Sequence, residues 1–331
     1  MKDYVVRKIT KKTGQKIYHK YFTKQGDEIK DKGKIEEISS GLYIPPAYDN
    51  VQINKKKNAK VLAIGYDEKG RPQYIYHKEH IEKQKNKKYD YMKVFGKKFP
   101  TINHVINRDI NLPENSKDKQ IAVILKLIME CHFRVGNDRY FKENKSYGTT
   151  TLEKQHIVEK DNHVVIDFIG KKKVRNVCKV TNKKLVKTLK QKKKRKSKTN
   201  RIFTYKQGRK ETTIKPQDVN KYLKQFGKFT TKNFRTWGAN IEFITKLIKH
   251  SKDKSFKKES ETKQVIKQSI EDVACKLHNT PSVCRSNYID PEIINFFSFG
   301  PDKFLSFFKV KGGLTKEKVQ KKYLQFLEEI S

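Results

Sequence analysis

Apolar residues alternate with polar ones in short segments near the N-terminus, a pattern typical of β-strands. Residues 60–66 (KVLAIGY) form an apolar run, and QYIYH repeats with a period of two after the sequence DEKGRP. Gly70 and Pro72 favour a turn between these segments, so we predict that they form a hairpin. The pattern therefore predicts a small β-rich domain over residues 1–95, which ends in a charged helical connector (HIEKQKNKKYDYMK).

From residue 96 onward, apolar residues recur at intervals of three and four, which is typical of helices. The clearest examples are residues 120–131 (QIAVILKLIMEC), 216–226, 234–248 and 263–277. HVVIDFI and VRNVCKV flank GKKK and predict a β-hairpin with Lys171 in its turn, while SYGTTTL (residues 146–152) predicts another strand. The predicted fold class is α+β, with a larger, mostly helical domain over residues 96–331 that contains a hairpin or small sheet.

The chain of 331 residues has a formal net charge of +41, which indicates a polyanionic partner, and nucleic acid is the favoured one. A membrane is disfavoured, because the sequence has no run of about 18 apolar residues and no basic amphipathic helix. The N-terminal sequence MKDYVVRKITKK lacks the apolar stretch of a signal peptide. The very basic residues 183–198 predict a solvated loop; the alternatives are a phosphate contact or a nuclear address.

Four widely spaced cysteines form no CxxC pair, so we expect neither a zinc site nor a disulfide framework, and the composition fits a reducing compartment. The sequence has no GxxxxGK[ST] phosphate loop and no tight cluster of Asp and Glu suited to two-metal catalysis. We therefore expect chemistry that requires neither ATP nor a metal, although divalent cations could stimulate it.

One tyrosine and three basic residues suggest a reaction: Arg134 in FRVGN, Lys171 in IGKKKV, Arg235 in KNFRTWGAN and Tyr288 in NTPSVCRSNYID. A tyrosine hydroxyl, with an ordinary pKa near ~10, can attack a phosphodiester when fixed cations stabilise the charge that develops. Arginine offers a rigid fork to two phosphate oxygens, and lysine can give a proton to the leaving oxygen.

The segments FRVGNDRYFKENKSYGTTTL, FIGKKKV, FGKFTTKNFRTWGAN and NTPSVCRSNYIDP resemble the type IB DNA topoisomerases, of the small poxvirus and bacterial kind. The resemblance extends over most of residues 65–295. It implies the catalytic fold shared with tyrosine recombinases and a monomeric, C-shaped clamp around duplex DNA. It also implies relaxation of supercoils by cleavage of one strand through a 3′-phosphotyrosyl intermediate, strand rotation and religation. A large DNA virus would be the expected source, and the location would be intracellular, in the virion, the infected-cell cytoplasm or the nucleus.

The resemblance also implies a role for each site residue. Tyr288 would be the nucleophile, Arg134 and Arg235 would bind the scissile phosphate, and Lys171 would protonate the leaving 5′-oxygen. Lys232 and Asn240 match positions in or beside the family's active site. The expected DNA contacts are Gln73, Tyr74, Tyr76 and Tyr140.

This sequence departs from the poxvirus pattern just before TPS, where those enzymes have a histidine that donates a hydrogen bond to phosphate. Asn279 occupies that position, and His278 lies one residue earlier. An amide N–H can donate the same hydrogen bond, so we expect Asn279 to contact the phosphate and His278 to be structural.

Two alternatives compete with this interpretation. A tyrosine site-specific recombinase uses nearly the same residues, but it usually has histidine where this chain has Lys232, and again near Asn279. A noncatalytic basic protein that coats nucleic acid would explain the charge but gives Tyr288 no role.

Overall fold

A computed structural model of the chain describes residues 1–252, 254–310 and 313–329, with the side chains of residues 85 and 86 left out. The chain forms two compact units, Met1–Lys88 and Tyr89–Ser331. The boundary between them lies after Lys88, whereas the hydrophobic pattern predicted it after residue 95. We describe each unit separately.

The first unit is built on a six-stranded antiparallel sheet in the order β3-β2-β1-β4-β5-β6. Its elements are β1 (Tyr4–Thr13), β2 (Lys16–Phe22), β3 (Glu28–Ile29), helix α1 (Lys32–Ser39), β4 (Asp49–Asn54), β5 (Val61–Tyr66) and β6 (Pro72–Tyr76). The predicted hairpin is confirmed, because β5 pairs antiparallel with β6. Gly70 in its turn has a φ of 67°, a left-handed conformation that favours glycine. A small core of Ile44, Val51, Ile53 and Ala63 lies against the sheet.

The second unit is mainly helical, as the apolar periodicity predicted. The helices, counted from the connector that begins before this unit, are α2 (Lys78–Asp109), α3 (Lys117–Cys131), α4 (Asp138–Asn144), α5 (Lys183–Lys194), α6 (Pro216–Leu223), α7 (Thr231–His250), α8 (Glu259–Leu277), α9 (Pro281–Asn287), α10 (Pro291–Phe299), α11 (Pro301–Phe307) and α12 (Lys316–Glu329). Helices α3 and α7 contribute many fully buried side chains to one continuous core. Within the described ranges, no helix has an apolar stretch long enough to cross a bilayer.

Two small sheets accompany these helices: β7 (Ile157–Glu159), β8 (Val164–Ile169) and β9 (Arg175–Val180) form one, and β10 (Thr204–Gln207) and β11 (Lys210–Thr213) form the other. The predicted hairpin around Lys171 is confirmed, since β8 pairs with β9 and a 3₁₀ turn over Lys171–Lys173 joins them. The predicted strand over residues 146–152 is wrong. Thr149–Thr151 form a 3₁₀ turn, because the hydroxyls of Thr149 and Thr150 donate to backbone carbonyls of an adjacent segment.

The predicted loop over residues 183–198 is also wrong for most of its length. Asn182 caps helix α5, which ends only at Lys194. Lys192 is buried, and its ammonium group donates to Glu114 and Gln120. The error arose because a charged run usually faces solvent, whereas this helix buries one lysine against a carboxylate and an amide.

A disulfide between Cys131 and Cys178 corrects the expectation that the cysteines are unpaired. Cys131 ends α3, Cys178 lies on β9, and their Cα atoms are 5.7 Å apart. The two residues are separated by 47 positions in sequence, so their spacing could not show that they meet. Cys275 and Cys284 remain free.

Candidate active site

Tyr288 follows directly after α9 and is largely buried, with 9% of its surface exposed. Pro281 starts this short helix, and the Thr280 hydroxyl accepts a hydrogen bond from the Val283 amide at 3.3 Å. The Tyr288 hydroxyl lies 3.4 Å from Nη2 of Arg235, whose guanidinium carbon is 5.2 Å from the centre of the tyrosine ring. The local sequence thus fixes the tyrosine beside a cation.

Arg235 projects from the first turns of α7 and is 3% exposed. Its Nη2 also donates to the Leu277 carbonyl at 3.3 Å, but its Nε and Nη1 are buried and have no hydrogen-bond partner among the described residues. A buried cation with unused donors is unfavourable unless an anion completes it. The guanidinium therefore forms an incomplete anion site next to the Tyr288 hydroxyl.

The pKa of the Tyr288 hydroxyl reflects two opposing effects. Burial alone would raise it, but the charge of Arg235 and its hydrogen bond, together with the charges of Arg134 and Lys232, bring the pKa below its ordinary value. A tyrosine in this setting loses its proton more readily than a free one, which favours nucleophilic attack.

Arg134 contacts Asn279, and the charge of Arg134 acts on both Arg235 and Tyr288. Arg134 Nη2 donates to Asn279 Oδ1 at 2.5 Å, while Asn279 Nδ2 is buried and has no partner in the described part of the chain. Asn279 follows the end of α8, where His278 adopts a left-handed conformation with a φ of 52°. The unpaired amide N–H therefore adds a neutral donor to the unused donors of Arg235.

The backbone around Arg134 is held by the segment that contains the threonine turn. The Arg134 carbonyl accepts hydrogen bonds from the Thr149 amide at 2.8 Å and from its hydroxyl at 3.0 Å. Gly148 packs so tightly that a Cβ at this position would lie 2.8 Å from the Arg134 carbonyl oxygen and 2.5 Å from the Gly136 nitrogen. Only glycine fits at position 148 without moving the backbone of residues 134–136.

Asn240 fixes the backbone at Tyr288 and Asp290. Its amide nitrogen donates to the Tyr288 carbonyl at 3.1 Å, and its oxygen accepts from the Asp290 amide at 2.8 Å. Because Asn240 is fully buried on α7, it ties the tyrosine to the helix that carries Arg235. Asn240 is therefore a positioning residue.

Other residues that we did not single out from the sequence support the same segment. The Tyr89 hydroxyl donates to the Ile289 carbonyl at 2.5 Å, and the Tyr323 hydroxyl donates to Asp290 at 3.2 Å. Asp290 also caps α10 through the Glu292 amide. Asp290 directly precedes Pro291 at the start of α10, whereas the two tyrosines are distant from it in sequence.

Lys232 and His278 differ in exposure, since one is on the surface and the other is partly buried. Lys232 is exposed in the first turn of α7, and its charge acts on Tyr288. His278 stacks on Phe133 with ring centres 5.7 Å apart, and burial, together with the charges of Arg235 and Arg134, lowers its pKa to about 4.

Lys171 is exposed in the β8–β9 turn, where Lys172 and Lys173 adopt left-handed conformations. Within the part of the chain that the structure describes, no contact joins its side chain to Tyr288 or the arginines. The turn is nevertheless attached nearby, because the Tyr147 amide donates to the Ile169 carbonyl at 2.9 Å, next to the segment that holds Arg134.

The predicted DNA contacts lie on accessible surfaces of their own units. Tyr74 and Tyr76 are exposed on β6 and stack with ring centres 6.1 Å apart, and Tyr140 is exposed on α4. The Gln73 amide nitrogen donates to Asp67 at 3.0 Å, which leaves its carbonyl oxygen available. Exposed aromatic side chains can contact nucleic acid, whereas most of this chain's aromatic residues are in its cores or pack against them.

Among the described residues, no group of three or more His, Cys, Asp or Glu side chains is arranged to hold a metal ion. The groups that converge on the Tyr288 hydroxyl are cationic or neutral donors instead. Such a set can bind an anion and stabilise negative charge that develops on it.

Comparison with known protein families gives two matches that together cover most of the chain. Residues 77–294 match the catalytic core of eukaryotic DNA topoisomerase I. Residues 18–67 match the N-terminal domain of bacterial DNA topoisomerase IB.

Individual relatives agree with the family matches. DNA topoisomerase 1B of Acanthamoeba polyphaga mimivirus is 30% identical, with 89% of this chain and 88% of that protein covered. DNA topoisomerase 1B of vaccinia virus (strain Copenhagen) is 28% identical over 80% of this chain and 83% of its own length. DNA topoisomerase 1 of rabbit fibroma virus (strain Kasza) is 27% identical over 79% of this chain and 81% of its own length.

The chain belongs to the type IB DNA topoisomerase family, which makes it an isomerase that acts on DNA. This result confirms the resemblance carried by the motifs and favours it over the recombinase and the noncatalytic alternatives.

Proposed function

We propose that this protein relaxes supercoiled duplex DNA by cutting one strand through a transient phosphotyrosyl bond at Tyr288. The observation that supports this most directly is the set of unused donors on Arg235 and Asn279 beside a tyrosine whose pKa is lowered. These donors suit the non-bridging oxygens of a phosphodiester, which gain negative charge as the nucleophile attacks.

In the proposed reaction, Tyr288 Oη gives up its proton to solvent water and bonds to phosphorus, and the bond from phosphorus to the 5′-oxygen breaks. Lys171 gives a proton to that oxygen, while Arg134, Arg235 and Asn279 hold the non-bridging oxygens. The tyrosine keeps the 3′-phosphate, the strand with the free 5′-hydroxyl rotates, and the hydroxyl then reverses the reaction. Because one ester replaces another of similar energy, the reaction requires no ATP. Because the fixed cations stabilise the charge that develops on phosphate, it requires no metal.

Lys232 supports the site electrostatically, and Asn240 positions the nucleophile. Gln73, Tyr74, Tyr76 and Tyr140 contact the duplex outside the cleaved bond. The protein acts as a monomer that closes around DNA as a C-shaped clamp. Its location is intracellular, in the cytoplasm or the nucleus. A viral source would place it in the virion or in the infected cell.

A plasmid relaxation assay with a metal chelator and without ATP tests the proposal. The wild-type protein should relax the plasmid, and Tyr288→Phe should not. Tyr222→Phe is a matched control, because Tyr222 has the same 9% exposure but donates to Asp109, outside the site. Relaxation by Tyr288→Phe, or a strict need for metal or ATP, would contradict the mechanism.

A modified substrate tests Lys171 separately. Lys171→Ala should slow cleavage of an ordinary phosphodiester but recover on a 5′-bridging phosphorothiolate, since a sulfur leaving group needs no proton. Lys172→Ala and Lys173→Ala control for the general charge of the turn. Without recovery on the sulfur substrate, Lys171 is not the acid.

A further inference from the structure

His132 is a buried polar residue that the proposed reaction does not use, although it lies only two positions before Arg134. It follows α3 with a φ of 53°, a left-handed conformation that residues other than glycine rarely adopt, and it is 2% exposed. Its backbone N–H donates to the Ile128 carbonyl at 3.0 Å and so ends the helix. The chain therefore leaves α3 at His132 and enters the segment that carries Arg134.

The His132 ring packs against one face of α7. A Cβ on Gly238 would lie 2.6 Å from Cε1 of this ring and 2.9 Å from Nδ1, so glycine leaves the space that the ring fills. Arg235, Gly238 and Glu242 are spaced by three and four residues, which places them on the same face of the helix. The ring therefore links the segment before Arg134 to the face of α7 that carries Arg235.

Glu242 is the charged group next to this ring. Its Oε1 lies 4.0 Å from His132 Nε2, and its Oε2 lies 2.5 Å from Nζ of Lys276. Lys276 is in the last turn of α8, three positions before Asn279. Glu242 therefore connects α7 both to the end of α3 and to the end of α8.

Stability does not explain why position 132 is a histidine. Neither ring nitrogen has a hydrogen-bond partner among the described residues, and 4.0 Å is too long for a hydrogen bond to Glu242. Burial lowers the pKa of the His132 imidazole despite the nearby carboxylate, so the ring is neutral at physiological pH. Because burial of a polar group without partners is unfavourable, an apolar ring of similar size would cost less to bury.

The nitrogens instead give the ring an attraction to Glu242. A neutral imidazole carries one N–H, and in the tautomer with its proton on Nε2 this dipole faces the carboxylate. Such an attraction is strong in a buried, low-dielectric setting. It draws the end of α3 toward the face of α7 that carries Arg235.

We propose that His132 is a positioning residue, an inference that rests on the proposed function. Through the attraction of its ring to Glu242, it sets Arg134 relative to Arg235, and both arginines are proposed to bind the same phosphate. No bond to His132 forms or breaks in the reaction. Displacement of a phosphate-binding group by about 1 Å is expected to slow cleavage by up to about 10²-fold.

Single-turnover cleavage of a suicide oligonucleotide at saturating protein tests this proposal, with DNA affinity and urea unfolding measured alongside. H132F keeps a ring of similar size without the nitrogens, and H132Q keeps an N–H donor. We expect H132F to cleave about tenfold slower or more while its DNA affinity stays within about twofold of wild type, because one neutral side chain replaces another and the loss is confined to the transition state. H132Q should cleave within about threefold of the wild-type rate, since it restores the donor.

His250 provides a matched control on the same two helices. Its Nε2 lies 3.1 Å from Oδ2 of Asp272, which also pairs with Lys246 at 2.5 Å, so this imidazole likewise faces a carboxylate that holds a lysine. It lies eight positions beyond Glu242 on α7, about 12 Å further along the helix. H250F should therefore cleave at the wild-type rate, even if it unfolds at a lower urea concentration.

E242Q is a second test variant, because it removes the charge that attracts the ring and leaves His132 unchanged. We expect it to slow cleavage as H132F does, and the double variant should be no slower than the slower single variant, since both changes break one interaction.

A wild-type cleavage rate for either H132F or E242Q would overturn the inference, as would additive losses, a full loss in H132Q or an equal loss in H250F. In each of these cases the wild-type protein still forms the covalent complex, so the proposed function stands. A wild-type protein that forms no covalent complex would reject the proposed function and this inference with it.

Discussion

His278 and Asn279 are neighbours in sequence, yet they offer different chemistry to a bound phosphate. The His278 ring is stacked on Phe133, and its pKa of about 4 keeps it neutral at physiological pH. Asn279 is bonded to Arg134 through its oxygen and has a buried, unused N–H donor. The amide is therefore in the better position to contact a non-bridging oxygen.

We predict that Asn279→Ala slows formation of the covalent DNA complex by about 10²-fold, the usual cost of removing one preorganised donor from a transition state. His278→Ala should lower the free energy of unfolding but change this rate less than tenfold. Single-turnover cleavage of a suicide oligonucleotide measures both rates, and urea unfolding measures both stabilities. A larger rate loss for His278→Ala than for Asn279→Ala would reverse the assignment.

The sequence identified the residues that form the candidate site but did not identify which residues position them. Arg134, Arg235 and Tyr288 each lie in a distinctive local motif. In the structure, Arg235 contacts Tyr288, and the charge of Arg134 also acts on the tyrosine. The hydrogen bonds between Asn240 and the backbone of Tyr288 and Asp290 could not be predicted. Asn240 lies on α7 and Tyr288 follows α9, and these elements meet only after folding.

Some elements around the site pack backbone against backbone, and Gly148 lies in close contact with the backbone of Arg134 and Gly136. A side chain there would collide with the carbonyl of Arg134 and the nitrogen of Gly136. Collision with backbone atoms cannot be relieved by rotating a side chain. The position of Arg134 therefore depends on a residue that has no functional group.

We predict that Gly148→Ala slows cleavage by about 10²-fold, the order of loss expected when a catalytic group moves by about 1 Å. Gly208→Ala is the control: its φ of 60° also disfavours a side chain, but no atom of the described residues lies within 4 Å of the added carbon. That variant should lose stability without a matching loss of cleavage rate. If both variants cleave at the wild-type rate, the close packing at Gly148 does not position Arg134.

The disulfide provides a second link between elements, since it joins the end of α3 to the strand that follows the Lys171 turn. We predict that Cys178→Ser lowers the free energy of unfolding by about 2–4 kcal/mol, because a crosslink across 47 positions restricts the unfolded chain. Urea unfolding with and without a reductant measures this effect. Cys275→Ser is the control, since Cys275 is a free, exposed cysteine. Equal stability of the two variants without reductant would show that the bond does not form.

Helices and the two predicted hairpins could be recognised because their apolar residues repeat with the period of the element. The 3₁₀ turn at Thr149–Thr151, the helical state of residues 183–194 and the disulfide could not. Each of them depends on partners distant in sequence, such as Glu114 for Lys192. Local periodicity contains no information about such partners.

For the whole molecule, the formal charge of +41 is the dominant property and agrees with an enzyme that acts on DNA. We predict that DNA binding weakens by about 10³-fold or more between about 50 and 200 mM salt, as expected when six or more phosphates release counterions. Fluorescence anisotropy with a labelled duplex over a salt series measures this. A nearly flat response would mean that phosphate contacts do not dominate binding.

The unused donors of Arg235 also have a consequence for handling the protein without DNA. Burial of a guanidinium without a full set of partners has a desolvation cost, which a bound oxyanion would reduce. Because the anion binds only the folded state at this site, it should stabilise that state by mass action. Sulfate or phosphate, compared with chloride at matched ionic strength, should raise the melting temperature of the wild-type protein more than that of Arg235→Gln. The choice of buffer anion would then affect the shelf life of the purified protein.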